Sequence, residues 1–198
     1  MKKMIIIFIL FLTGCNYTEL NNLSIIKTIG ISYQDNNYIL YAQLIDTNDK
    51  DSPTKTTIIT VSDNSFTNLF SALKKQVNKK IFYSHIDLLI LDFSLKDNNY
   101  KDIIKYFISN NEFRNDFQCI LSNNINDVLT NTKYNEIEDL IADNPYIINT
   151  SFEKIINQYL NKKGFNLSEI NYNQKILFTD NYYYYNNNYE RIDYEKEN

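Results

Sequence analysis

The sequence has few of the residues from which most reaction centres are built. Its 198 residues include one histidine, three glycines, two cysteines, two prolines and no tryptophan. A single histidine excludes the usual His/Cys metal cluster, and three glycines are too few for a Gly-rich phosphate-binding loop. The short motifs of serine hydrolases, zinc proteases and nucleotide-binding proteins do not occur. We therefore expect no enzymatic activity, no bound metal and no cofactor.

The two cysteines lie in very different surroundings. Cys15 ends an apolar run, whereas Cys119 lies inside an alternating apolar segment that is typical of a strand. A lone cysteine in such a segment is usually a small core residue, and we expect Cys119 to be one. No disulfide framework is predicted.

The first fifteen residues have the order of a bacterial lipoprotein signal. Lys2 and Lys3 precede the apolar run 4–12, and Leu12-Thr13-Gly14-Cys15 resembles a lipobox. The nine apolar residues would reach only about 13 Å as a helix, too short for a hydrocarbon core of about 30 Å. We therefore predict a signal peptide over residues 1–14, lipidation at Cys15 and a tether over residues 15–22; the alternative is a plain signal peptide.

The predicted lipid determines how the mature protein associates with a membrane. Two or three acyl chains on one cysteine anchor a protein stably, so we expect it on the outer face of a membrane. Loss of Lys2 and Lys3 with the signal lowers the net charge from −4 to −6. This acidic balance argues against nucleic acid and anionic lipid headgroups as partners.

The pattern of apolar residues predicts an α/β (α+β) fold. Runs rich in Ile, Val, Thr and Tyr indicate strands, and apolar residues at i, i+3, i+4 and i+7 indicate amphipathic helices. The elements are strands 23–33, 38–46 and 55–62, helix 64–80, strand 81–93, helix 100–110, strand 117–122 and helix 125–129. The order β-β-β-α-β-α-β-α predicts a mixed sheet with helices packed against it, as one domain over residues 23–132.

The rest of the chain, residues 133–198, is interpreted as a partial second domain. Two helices are predicted, over 136–145 and 151–164, the second with Thr150 or Ser151 as N-cap and Gly164 just past its end. Residues 174–192 are interpreted as a hairpin that turns through three asparagines. The last residues are charged, and we expect a frayed end.

Three parts of the sequence resemble the Ger(x)C lipoproteins, the C subunits of spore germinant receptors. The first is the opening after the lipobox, in which Gly14, Cys15, Glu19, Leu20, Asn21, Leu23, Ile29, Gly30 and Ile31 match. The second is the helix, its lysine-rich end and the next strand, opened by Ser84-His85, and the third contains a Glu-x-Arg element, here Glu112 and Arg114. The order is the same over about residues 12–130, although the family's chains continue into a large C-terminal domain.

This resemblance implies a non-enzymatic accessory subunit of a nutrient-germinant receptor. The subunit would be tethered to the inner spore membrane beside integral-membrane subunits, with His85, Glu112 and Arg114 as structural residues or partner contacts. From the residues themselves, a hydrogen-bonded histidine at a sheet end is the expectation for His85. Two alternatives stay open: a lipid-anchored solute- or peptide-binding protein of a transporter, and a degenerate truncated copy.

The segment Glu19-Leu20-Asn21 has two interpretations. It could be a plain tether between the lipid and the domain. Leu20 and Leu23 are three residues apart, however, and the side chains of Glu19 and Asn21 can hydrogen-bond main-chain groups at the start of the first strand. We therefore predict that the segment docks the tether onto the domain and fixes how the domain stands on the membrane.

Overall fold

The computed structural model describes residues 23–46 and 56–193. The strands are β1 (Leu23–Gln34), β2 (Asn37–Asp46), β3 (Thr56–Asp63), β4 (Lys80–Phe82), β5 (Leu88–Leu91), β6 (Gln118–Leu121), β7 (Phe165–Asn173), β8 (Lys175–Tyr185) and β9 (Asn188–Arg191). The helices are α1 (Phe66–Gln76), α2 (Asp97–Ser109), α3 (Ile125–Asn131), α4 (Tyr134–Asp143) and α5 (Phe152–Leu160). The predicted signal peptide and tether, with Cys15, Glu19, Leu20 and Asn21, lie outside the described residues.

All nine strands belong to one mixed sheet. Its order is β3-β2-β1-β5-β6-β7-β8-β9, and β4 pairs with the start of β1. Neighbours β1, β5, β6 and β7 are parallel, whereas β1–β2–β3 and β7–β8–β9 are antiparallel meanders at the two ends. With helices packed around this sheet, the predicted α+β fold is confirmed.

The sheet buries both of its faces. Along β5, Leu89 and Leu91 face a core formed with α1, α2 and α5, whereas Leu88 and Ile90 face a second core formed with α3 and α4. Because neighbouring strand residues point to opposite faces, a strand covered on both sides must be apolar throughout. This explains the unbroken run of four buried residues in β5.

Asparagine and aspartate make two of the tight turns of this glycine-poor chain. Asp35 and Asn36 have φ of 50° and 60° between β1 and β2, and Asn186 and Asn187 have φ of 48° and 65° between β8 and β9. Two-residue hairpin loops with both residues at positive φ match the twist of the flanking strands, and Asn and Asp tolerate this conformation. The predicted turn through the asparagines before Tyr189 is confirmed.

The single strand predicted over residues 81–93 is wrong, because the chain forms two strands here. Along β1, only Ile26 and Lys27 separate the residues that pair with β4 from those that pair with β5. Five residues, 83–87, separate β4 from β5 themselves. The excess residues leave the sheet as a turn at Ser84 and His85.

The helix ends confirm some predictions and correct others. Ser151 is the N-cap of α5, and its hydroxyl accepts a hydrogen bond from the Lys154 main-chain N–H at 3.3 Å. At the other end α5 stops at Leu160, earlier than the position of Gly164 predicted, and Lys162 takes the left-handed conformation with φ of 55°. Gly164 is needed for another reason, since a Cβ there would lie 2.5 Å from the Tyr184 carbonyl oxygen.

The predicted boundary after residue 132 falls between α3 and α4. The sheet continues past it, because Leu121 of β6 pairs with Glu169 of β7. Phe152 and Phe165 also share one core with Leu89. Residues 133–191 therefore pack onto the N-terminal part, and their division into a second domain stays a prediction.

Candidate functional site

Parallel pairing brings the predicted site residues to one edge of the sheet. The loops that precede β5 and β6 lie at the amino ends of these parallel strands, beside the end of α1 and the start of β1. We call this part of the molecule the amino-end edge, formed by residues 74–87 and 110–117. It contains His85, Glu112 and Arg114.

His85 is exposed in the turn between β4 and β5. Its ring lies 5.2 Å from the ring of Phe82, measured between centroids. Within the described residues the imidazole makes no hydrogen bond, so the expectation of a hydrogen-bonded structural histidine is wrong. The loop that leaves the sheet after β4 carries the side chain outward, where a partner can reach it.

Glu112 and Arg114 are exposed and do not pair with each other. The Glu112 carboxylate lies 3.7 Å from the Lys74 ammonium, and Arg114 pairs with Asp116. The residue between them, Phe113, is buried. Both charged side chains therefore point outward from a loop whose central residue, Phe113, is anchored in the core.

An aromatic contact joins this loop to the one that carries His85. The ring centroids of Phe113 and Tyr83 are 4.8 Å apart, and the Tyr83 hydroxyl is buried without a hydrogen bond in the described part of the chain. Nearby, burial and then the charge of Glu112 raise the pKa of Tyr106 to about 12. The edge thus combines packed aromatic rings with exposed charged groups.

A second feature, which sequence reasoning missed, is a groove of about 590 Å³ between α2, α5 and the β8–β9 turn. Its floor is aromatic and its rim carries Lys101, Lys162 and Lys163. Tyr184 donates a hydrogen bond to Asp97 Oδ1 at 2.6 Å, and burial followed by this bond raises the pKa of the Tyr184 hydroxyl. The run of four tyrosines, 182–185, is the signal in the sequence, but its pattern predicts only part of a hairpin.

Cys119 lies where the sequence placed it, in β6 and fully buried. Burial raises the pKa of its thiol well above the usual value. Within residues 23–46 and 56–193, no three His, Cys, Asp or Glu side chains are grouped so that they could hold a metal ion. None of the five helices in these ranges has the length and hydropathy of a transmembrane helix.

Comparison with protein families identifies the chain. Residues 16–171 match the sequence model of the family described as Spore germination protein N-terminal domain. The chain belongs to this family. The resemblance to the Ger(x)C lipoproteins is thereby confirmed, and a role in spore germination follows. No curated protein and no solved structure matched the chain.

Proposed function

We propose that this spore germination protein is a non-enzymatic, lipid-anchored accessory subunit of a nutrient-germinant receptor. The observation that carries the proposal is the family match, which begins at Asn16, directly after the lipobox-like Leu12-Thr13-Gly14-Cys15. The family domain therefore follows the cysteine that we propose to be lipidated. Its partners in this proposal are the integral-membrane subunits of the receptor.

The anchor would place the domain on the outer face of the inner spore membrane. Leu23, the first residue of β1, lies eight residues after Cys15, so an extended tether spans at most about 28 Å. Because β1 is parallel to β5, Leu23 lies at the same end of the sheet as the amino-end edge. His85, Glu112 and Arg114 are therefore on the end of the domain that the tether holds near the membrane.

The mechanism that we propose is positional. A lipid anchor holds the domain close to the membrane, so weak contacts with membrane subunits act at a high effective concentration. Exposed ion pairs such as Lys74–Glu112 contribute little to stability and are free to exchange for partner contacts. The family match favours this receptor role over the alternative of a transporter-associated binding protein.

The test is deletion of the gene in a spore-forming host that encodes it. We expect spores without the protein to lose their response to at least one nutrient and to germinate normally after a stimulus that bypasses nutrient recognition. The wild-type gene should restore the response, and cross-linking should recover integral-membrane receptor subunits. A normal nutrient response together with reduced solute uptake would contradict the proposal and favour the transporter alternative.

A further inference from the structure

Four lysines form a basic cluster at the amino-end edge, here named the basic corner: Lys74, Lys75, Lys79 and Lys80. Lys74 and Lys75 occupy the last turn of α1, and Lys80 begins β4. Lys74, Lys75 and Lys80 are exposed. Lysines in the last turn also complement the negative end of the helix dipole, which explains why α1 tolerates two adjacent positive charges.

The register of the sheet fixes the basic corner beside the point where the tether enters the domain. Lys80 is the direct partner of Leu23 in the parallel pairing of β4 with β1. Only eight residues, at most about 28 Å of extended chain, separate Leu23 from Cys15. A lipid on Cys15 would therefore keep the basic corner close to the membrane surface.

Two acidic side chains of the amino-end edge, Glu112 and Asp87, neutralise little of the charge at Lys74, Lys75 and Lys80. Glu112 lies 3.7 Å from Lys74, but both side chains are more than half exposed, so this pair is weak. Asp87 is engaged by Lys27, with 2.5 Å between the Lys27 ammonium and the Asp87 carboxylate. The Lys74 ammonium also lies 5.6 Å from the centre of the Tyr83 ring, which holds it at this edge.

Some of the acidic residues that set the net charge lie on the other face of the sheet. Helix α4 carries four of them within ten residues: Glu136, Glu138, Asp139 and Asp143. Helix α1 packs against the core that contains Leu89, and α4 packs against the core that contains Leu88, so the two helices lie on opposite faces. A net charge of −6 describes the whole mature chain and hides the local positive charge of the basic corner.

We propose that the basic corner rests on the anionic headgroups of the membrane that holds the anchor. This proposal rests on lipidation of Cys15, as given under Proposed function. Attraction at the basic corner orients the domain with the end of α1 toward the bilayer. Anionic headgroups attract lysines within about a Debye length, so the effect needs the short tether.

The test uses the lipidated protein on two kinds of vesicle, phosphatidylcholine alone and phosphatidylcholine mixed with phosphatidylglycerol. Each lysine is modified by a membrane-impermeant amine reagent, and mass spectrometry gives its rate. We expect Lys75 and Lys80 to react at least fivefold more slowly on the anionic vesicles. Lys162 and Lys163, in the groove beside the start of α2, serve as internal controls and should react at the same rate on both.

Salt and a charge variant sharpen the experiment. Raising the salt from about 0.05 M to about 0.5 M should remove the protection, because screening shortens the Debye length. In Lys74→Gln/Lys75→Gln the protection of Lys80 should fall at least threefold, whereas Lys162→Gln/Lys163→Gln should leave it unchanged. Equal rates at Lys75 and Lys80 on the two kinds of vesicle would overturn the proposal. Protection found only in native membranes would also overturn it, because it would indicate an acidic protein partner.

Flotation of the vesicles separates this proposal from the one on which it rests. The acyl chains should carry the protein upward with both kinds of vesicle, whatever happens at the lysines. Failure to float with phosphatidylcholine vesicles would contradict the lipid anchor itself. Normal flotation with unprotected lysines would contradict only the orientation by the basic corner.

Discussion

Gly30 of β1 lies so close to Ile125 of α3 that no side chain fits between them. A Cβ on Gly30 would be 2.3 Å from Ile125 Cγ2, and Ile125 is buried in the core between α3 and the sheet. The glycine therefore lets the first turn of α3 pack directly on β1. This contact accounts physically for the Ile29-Gly30-Ile31 part of the family resemblance.

Replacing Gly30 by Ala should destabilise the fold. Overpacking of this kind costs about 1–3 kcal/mol, measured as the free energy of unfolding in urea. In Gly30→Ala/Ile125→Ala, the loss should be smaller than the sum of the two single losses, because the second change removes the clashing methyl group. Additive losses would show that the two residues do not compete for the same space.

Cys119 should be chemically inert in the folded protein. It is fully buried in β6 and its thiol pKa is raised by burial, so little thiolate forms at neutral pH. We expect a maleimide to label it only after denaturation, in a Cys15→Ser background that leaves one thiol. Ser109→Cys, at an exposed position at the end of α2, should label at once and serves as the control. Rapid labelling of Cys119 itself would mean that β6 is not covered as described.

Lipidation at Cys15 is tested by Cys15→Ala. This variant should lose incorporation of a fatty-acid analogue and move from the membrane fraction to the soluble fraction, because the thiol is the proposed acceptor. Cys119→Ala is the matched control and should keep both label and location. Labelling that persists in Cys15→Ala would rule out this cysteine as the modified residue.

The predicted docking of the tether is tested by Leu20→Ala/Asn21→Ala in the lipidated protein. We expect the nutrient response or the recovery of partner subunits to fall tenfold or more, which is about 1.4 kcal/mol of coupling. Membrane location should not change. Asn16→Ala, nearer the lipid and outside the proposed docking motif, is the control. A normal response with normal stability would reduce residues 15–22 to a simple tether.

Alkaline pH should destabilise the protein through its buried tyrosines. Burial raises the pKa of Tyr106 to about 12, and the pKa of the fully buried Tyr100 is raised well above its ordinary value. Tyrosines in the unfolded state ionise near pH 10. Above that pH the unfolded state has released more protons than the folded state, so the free energy of unfolding falls until the tyrosines of the folded state also ionise. For Tyr106 this window runs from about pH 10 to about pH 12.

Urea unfolding between pH 8 and pH 11 checks this sign. Tyr106→Phe should show a shallower loss of stability than the wild type, because one raised pKa is removed. Tyr146→Phe, at a largely exposed tyrosine, should follow the wild-type curve. If tyrosinate absorbance of the folded protein showed every tyrosine ionising near pH 10, the explanation by burial would fail.

Local patterns in the sequence were enough to predict most elements. Runs rich in Ile, Val, Thr and Tyr predicted β1, β2 and β3, and the apolar spacing of Phe66, Leu69, Phe70 and Leu73 predicted α1. These features depend on neighbours within one or two turns of chain, so a single sequence contains them. The buried state of Cys119 followed from the alternating apolar segment in which it lies.

Partners distant in sequence decided the rest. A continuous apolar run does not show how it pairs with a neighbouring strand. The break between β4 and β5 arises because β1 has only two residues between its pairs with β4 and its pairs with β5, whereas five residues connect β4 to β5. β7 was not predicted. It is a strand because it pairs with β8 along its length and with β6 at one residue pair, and neither pairing can be seen in the residues of β7 itself.

The sequence alone was therefore enough to identify the motifs. Which of their residues lie close together was decided by the tertiary structure. Leu12-Thr13-Gly14-Cys15 carries the predicted anchor without reference to any fold. His85, Glu112 and Lys80 share one edge with Leu23 only because β4, β5 and β6 run parallel to β1, which brings the amino ends of these strands to the same side of the sheet.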